Sequence, residues 1–478
     1  VMTCVLGMVV IREREIRNFV ETPFYRVVGS FTDANIEAEW KVVEGSKYFE
    51  SPLLYKENGF KKQESAENLI QELSGKTAVV ESIERGTSRK KAPLLFNLAE
   101  LQAECSKRFK ISPDETLAVV QELYEKKLVT YPRTDARVLS SAVAKEIGKN
   151  ISRLKGYEPV QGYVERIMKE GLHYNIAKTQ YTDDSKITDH YAIIPTGQGL
   201  SAFSRLGELQ TKMYEVIVRR FLSIFYPPAV YQKLNVTVKA GEERFFTSTK
   251  VLLEEGFLPV TQYSFTKKKN PDEILSAEEK EEEKEESFDL KEVLNLLKKG
   301  TPVSLTECAV KEGETSPPKR YNSGSMILAM ENAGQLIENE ELREQIKGSG
   351  IGTSATRAEI LKKLFSIEYL NLNKKNQIIT PTLKGELVYG IVFCSMPEMI
   401  SPNLTASWEK GLTGVADGSI SEGDYMKKLE AFVQQVVQRA KGGDYRAKLN
   451  SFYRSVQPHH AGENKKKRTT RKKKTTKA

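Results

Sequence analysis

Leu128-Val129-Thr130-Tyr131-Pro132-Arg133-Thr134-Asp135 sets a phenol two residues before a guanidinium, at the end of a short β-branched run and just before a proline. Tyrosine, with a pKa near ~10, is a poor nucleophile at neutral pH unless its oxyanion is stabilised. Arg133 supplies a permanent charge and a planar fork of donors that matches a phosphate. The pair is suited to attack on a phosphodiester. An isolated Tyr-x-Arg fits a strand tyrosine beside a surface arginine equally well, so the flanking sequence decides.

Upstream, Ser112-Pro113-Asp114-Glu115 combines an N-cap serine, proline at the first helical position and glutamate in the capping-box position. Leu117, Val120, Leu123, Tyr124 and Leu128 follow at helical spacing, which predicts one inward-packing face. The expectation is a rigid helix that delivers a short strand bearing Tyr131.

Four further stretches belong with this one. They are Val10-Ile11-Arg12-Glu13-Arg14-Glu15-Ile16 with Phe19-Val20, and Thr188-Asp189-His190-Tyr191-Ala192-Ile193-Ile194-Pro195-Thr196. Pro317-Pro318-Lys319-Arg320-Tyr321 with Ala329-Met330-Glu331, and Gly350-Ile351-Gly352-Thr353-Ser354-Ala355-Thr356-Arg357-Ala358, complete the set. With Leu101-Gln102 and Leu123-Tyr124-Glu125, they resemble the type IA DNA topoisomerases in content and order. The Tyr-Pro-Arg form is closer to the topoisomerase III branch.

The resemblance implies a mixed α+β, multi-domain toroidal core. Residues 1–27 and 306–440 would form a discontinuous DNA-binding domain, winged-helix-like over 353–390. Residues 28–90 and 218–305 would form a gate arch, and 91–217 the movable domain carrying the tyrosine. Residues 441–478 are expected as a basic, disordered tail. The implied chemistry is ATP-independent cleavage of one DNA strand through a 5′-phosphotyrosine, then strand passage and religation, relaxing negative supercoils or decatenating DNA. Tyr131 would be the nucleophile. Arg133 would stabilise charge on the non-bridging oxygens, and His190 would bind the phosphate or relay a proton.

Around the glycine-threonine motif, Gly350 and Gly352 would let backbone approach a phosphate. Thr353 or Ser354 would cap the following helix, and Thr356 and Arg357 would touch single-stranded DNA. Arg12, Arg14 and Arg320 read as DNA contacts, although Arg-Glu alternation also describes a solvated helix. Trp408 reads as core rather than as a stacking platform.

The chain departs from the family in two places. Type IA enzymes begin with a Toprim domain that supplies a catalytic glutamate and an acidic Asp-x-Asp-x-Glu cluster for Mg2+. Here no two of the eleven aspartates are two positions apart, and the chain opens at Val1. The expectation is therefore a fragment without the Toprim domain, with the Mg2+ ligands lying outside it. By itself it should bind single-stranded DNA and cleave it poorly or not at all. The second departure is Asn322-Ser323-Gly324, where relatives usually carry an acidic residue.

Composition agrees. The 478 residues suggest about three compact units. The net charge of +9 resides in the tail: from Lys465 onward there are nine cations and no acid. Without them the chain carries 64 basic and 64 acidic residues. Such a tail suits flexible, salt-sensitive phosphate contacts, or a solubilising end. The run Glu278-Glu279-Lys280-Glu281-Glu282-Glu283-Lys284-Glu285-Glu286 reads as a solvated insertion. Cys4, Cys105, Cys308 and Cys394 lack metal-ligand spacing and fit a reducing compartment. The opening apolar run ends at Arg12 and is neither signal peptide nor membrane span. Expected partners are single-stranded and negatively supercoiled DNA and a helicase, for a monomer in a bacterial cytoplasm, associated with the nucleoid.

Three other classes compete. A catalytically inactive single-strand-binding module would keep the ring fold alone. A winged-helix regulator built on 353–390 leaves Tyr131 and His190 unexplained. A relaxase-like tyrosine transesterase needs a histidine cluster, which His173, His190, His459 and His460 do not offer in the right region.

Overall fold

The computed structural model describes residues 1–31, 36–266, 298–336, 340 and 350–460. The acidic run 278–286 and the lysine-rich stretch 465–477 lie outside these.

Two separated chain segments build one large antiparallel sheet. Its strands are β1 (Pro23–Phe31), β2 (Ile36–Lys41), β3 (Leu54–Lys56), β4 (Gly59–Phe60), β5 (Ala78–Lys90), β6 (Ala229–Ala240), β7 (Glu243–Glu254), β8 (Pro302–Val303) and β9 (Leu305–Glu314). The order is β3-β4-β1-β2-β7-β6-β5-β8, with β9 also paired to β1. The polar–apolar alternation at 233–239 predicts a strand there, and β6 buries Leu234, Val236 and Val238 on one face. Gly241, at φ +65°, makes the tight turn into β7. Trp40 stacks on Phe60 at 5.0 Å, and its indole donates to buried Glu243 at 2.7 Å.

Among the described residues three apolar cores result. One lies under the sheet, around Trp40, Phe60 and Phe245, and takes in Ala66, Leu69 and Leu73 of α2 (Gln63–Leu73). A second joins α1 (Met2–Asn18) to residues 326–406 through Val5, Val9, Met326 and Leu361. The third runs from Ala92 to Tyr263 and contains α3 (Leu98–Phe109), α4 (Pro113–Glu125), α5 (Ser141–Arg153), α6 (Gln161–Glu170) and α7 (Glu208–Ser223). Phe221, Phe257 and Val260 pack in that same core, so the expected boundary at 217 falls inside it.

The order predicted for 353–390 is present. Helix Arg357–Ser366 leads to antiparallel Leu370–Leu372 and Ile379–Pro381, then to helix Leu383–Ser395. Trp408 meets Tyr425 and Phe432 edge-on, each at 5.6 Å, as a packing residue does.

The expected disordered tail requires a correction at its start. Arg446–Val456 is a helix lying on helix Leu383–Ser395. Phe452 sits so close to Gly390 that a β-carbon there would fall 2.6 Å from its ring. Buried His460 places Nε2 2.7 Å from Glu386. The lysines beyond residue 464 hid these anchors, because within the helix only Leu449, Phe452 and Val456 are withdrawn from solvent.

Candidate active site

Helix α4 starts as its sequence predicts, with both halves of the capping box formed between Ser112 and Glu115. It stops at Glu125, and Lys127 takes φ +62° to turn the chain out. Tyr131 is then carried on irregular backbone rather than on the expected strand. Its neighbours are fastened to the 190–196 segment instead. Val129 bridges Pro195, Thr130 N donates to Ile194 O at 3.0 Å, and the Thr130 hydroxyl donates to Ala192 O at 3.0 Å. On the far side the Thr134 hydroxyl donates to His190 O at 2.7 Å. The pairing stays local because proline at 132 and 195 interrupts both segments before a ladder can extend.

This fastening brings Tyr131 and His190 together, with ring centroids 4.5 Å apart. Tyr124 approaches Tyr131 edge-on at 5.5 Å. Tyr124 does not join the helix's inward face as its spacing predicted, because it falls in the last turn, where the chain leaves the core; it is 38% exposed. Tyr131 is half-buried, whereas Arg133 and His190 are exposed. No ion pair occupies Arg133 among the described residues. A cavity of about 480 Å³ opens beside Tyr131, with Tyr124, His190 and Tyr191 along its walls.

The glycine-threonine motif lies across a seam from this site. Gly350 has φ +66°, and a β-carbon there would come within 2.5 Å of the carbonyls of Met330 and Glu331. Backbone packing alone therefore demands glycine at 350. Gly352 has φ +70°. Thr353 and Thr356 are exposed and bond to each other, whereas Ser354 is buried. The helix begins at Arg357 with Thr356 as its N-cap residue, so neither Thr353 nor Ser354 caps it by side chain.

Arg357 itself is 1% exposed, with Nη1 3.0 Å from Asp135 Oδ1 and 3.7 Å from Glu331 Oε1. Here its guanidinium binds protein carboxylates rather than facing an open groove. Asn97 completes the node: its amide donates to Glu331 Oε1 at 2.7 Å and to Asp135 O at 3.1 Å. Burial pushes the Glu331 carboxyl above the usual range, against the opposing pull of Arg357 and the Asn97 hydrogen bond. The seam continues where Ser106 and Ser323 hydroxyls meet at 2.9 Å.

The other expected DNA contacts also have protein partners. Arg320 forks onto Glu13 at 2.8 and 2.9 Å. Arg14 lies between the rings of Tyr389 and Phe452, at 4.8 and 4.6 Å. Arg12 donates to Lys319 O at 2.8 Å and covers Tyr321. Sequence reading missed Asn97 and the role of Asp135. The Asn-Leu-Ala-Glu start of α3 marks a cap at Asn97, but nothing local marks its second bond.

Among the described residues no three of His, Cys, Asp and Glu gather as a cation site. Asp135 and Glu331 both face Arg357. The described residues do not form a Mg2+ site.

The sequence profile of the family described as DNA topoisomerase matches residues 1–427. DNA topoisomerase 3 of Bacillus licheniformis is 33% identical over 458 residues, covering 95% of this chain and 57% of that protein. DNA topoisomerase 3 of Bacillus subtilis is 33% identical over 448 residues, covering 92% and 56%. The chain thus spans little more than half the length of these relatives. Full-length topoisomerase I from Thermotoga maritima shares the fold, with a TM-score of 0.62 over 92% of this chain and 62% of that one, at 22% identity.

Proposed function

This chain belongs to the DNA topoisomerase family, with the topoisomerase 3 proteins among its relatives, and we propose that Tyr131 is the nucleophile of a type IA strand-cleavage reaction in the full-length protein. The phenol oxygen bonds to a backbone phosphorus of single-stranded DNA, and the bond from phosphorus to the 3′-oxygen breaks. The phenol proton is released and the 3′-oxygen takes up a proton. The product is a 5′-phosphotyrosine and a free 3′-hydroxyl. Reversal restores the strand, so the bond energy is retained and ATP is not needed.

The observation that carries this reading is the 4.5 Å approach of Tyr131 and His190, from segments locked together by Thr130 and Thr134. Arg133, exposed and two residues along the chain from Tyr131, would offset charge on the non-bridging oxygens. His190 is placed to hold the phosphate or pass a proton. Thr353 and Thr356 are the exposed members of the glycine-threonine motif, and strand contact there falls to them. On this reading the three cores would serve as a sheet-based arch, a tyrosine-bearing unit and a unit, built on α1 and residues 326–406, that binds the strand. Relaxation or decatenation of negatively supercoiled DNA follows if the arch lets a second strand through. Mg2+, a helicase partner, a monomeric state and a bacterial cytoplasm remain part of this proposal by family likeness. No described helix is long and apolar enough to cross a membrane.

The test is Tyr131→Phe in the full-length protein with Mg2+ and a labelled single strand. Covalent protein–DNA adducts on a denaturing gel should vanish while strand binding persists. Adducts that survive exclude Tyr131. No adducts from the parent protein either would favour a strand-binding module that does not cleave.

A further inference from the structure

We propose that the cavity beside Tyr131 is a subsite for one nucleobase of single-stranded DNA, with Tyr124 as its stacking platform. The inference rests on the reading of Tyr131 above and adds what holds the base next to the attacked phosphate. The cavity, about 480 Å³, falls within the roughly 300–1,000 Å³ typical of small-ligand sites. Its walls are Tyr124, Tyr131, His190 and Tyr191, with Thr196 and Gln198 also lining it. Four rings around one opening match a flat aromatic occupant.

Tyr124 is the informative residue. Its neighbours Leu123 and Leu128 are fully buried, yet its own ring is 38% exposed at the cavity's edge. Its contact with Tyr131 is edge-on, 79° between planes, which leaves aromatic face unused. An exposed phenol ring at a helix end is costly to hydrate, and a base covering it removes that surface from water. The polar groups are divided in the same sense. The Thr196 hydroxyl is committed to Lys127 O and to the amide of Gln198. The exposed Gln198 side chain makes no hydrogen bond among the described residues, so one acceptor and two donors face outward. Such an amide can address the edge of a base.

The occupant follows from connectivity. Tyr131 lines the cavity, so whatever fills it adjoins a phosphate placed for attack. The Tyr124 and Tyr131 ring centroids are 5.5 Å apart, less than the span of two stacked nucleotides at about 3.4 Å each. The base beside the attacked phosphate therefore reaches Tyr124 without stretching the backbone.

The test compares two labelled strands of equal length by fluorescence anisotropy, oligothymidylate and a fully abasic tetrahydrofuran strand. It uses full-length protein carrying Tyr124, Tyr124→Ala or Tyr124→Phe. Tyr124→Ala should weaken oligothymidylate about five- to 150-fold, the span of one lost stack, and leave the abasic strand unchanged. Tyr124→Phe should stay within about twofold of the parent on both, since stacking needs only the ring. Equal weakening of both strands by Tyr124→Ala, or no weakening of either, overturns the proposal. A matching thermal transition for the variant shows that it is folded. No cleavage is needed, so this result stands apart from the adduct test of Tyr131.

Discussion

Arg357 Nη1 lies 3.0 Å from Asp135 Oδ1, joining the helix after the glycine-threonine motif to the segment after Tyr131, 222 residues away. The arginine is 1% exposed and the aspartate side chain 34%. With Asn97 and Glu331, this pair fixes where the tyrosine segment stands relative to that motif. Anything that separates the tyrosine-bearing unit from its neighbour must break it.

Arg357→Ala leaves two carboxylates facing each other without their cation. Removing one partner of a buried pair costs about 3–5 kcal/mol, and the partial exposure of Asp135 argues for about 3. Calorimetry should show the transition fall by about 6–12 °C for a unit of this size. Hydrogen exchange of amides at 130–136 should quicken as well. Unchanged exchange there would show that the pair does not hold the segment.

Glu331 sets an unusual pH dependence. Its carboxyl is raised by burial, with Arg357 and Asn97 opposing and Asp135 and Glu100 adding to the rise. A carboxyl raised on folding binds protons more tightly in the folded chain than in the unfolded one. Its contribution is therefore full below the ordinary value of 4.5 and is lost as pH climbs through the raised value. The thermal transition of the parent minus that of Glu331→Gln should decline across this window. A difference that rises instead would reverse the assigned direction.

Thr134→Val keeps every ring at the site and removes the hydroxyl that holds His190 O and accepts from Ala136 N. If His190 works from a fixed place, cleavage in the full-length protein should slow by about tenfold or more while strand affinity changes little. His190→Ala should cost about a hundredfold in the same assay, as the lower range of proton-transfer or phosphate-positioning roles implies. Equal losses in affinity and rate for Thr134→Val would mark it as a general folding defect.

Removing residues 465–478 deletes nine cations. The slope of log affinity against log salt for a single strand should shrink by about 0.7 for each cation that neutralises a phosphate. Anisotropy titrations over a range of salt measure it. An unchanged slope means the tail does not touch the strand.

Several features could be read directly from residues. The capping box of α4 is a contact between positions three apart, and short-range geometry is carried by short-range sequence. The same holds for the alternation in β6 and for the helix–strand–strand–helix order at 357–395. The strand expected at Tyr131 failed because two prolines cut the pairing short, so side-chain hydroxyls took over from a ladder. Arg14, Arg320 and Arg357 show the limit for charges. Each is a guanidinium that sequence assigns to a strand of DNA, and the fold gives each an acid or a ring of the protein as a partner, which no local pattern announced.

From its residues alone, this chain fixed the chemistry available: a phenol, a guanidinium and an imidazole in recognisable settings, on helices with encoded ends. The fold decided their company. Tyr131 meets His190, and Arg357 meets Asp135, only because buried apolar surface at three separate cores brings distant segments into register. Burial depends on the whole packing arrangement. No local stretch records which arginine will be desolvated beside a carboxylate and which, like Arg133, will be left facing water.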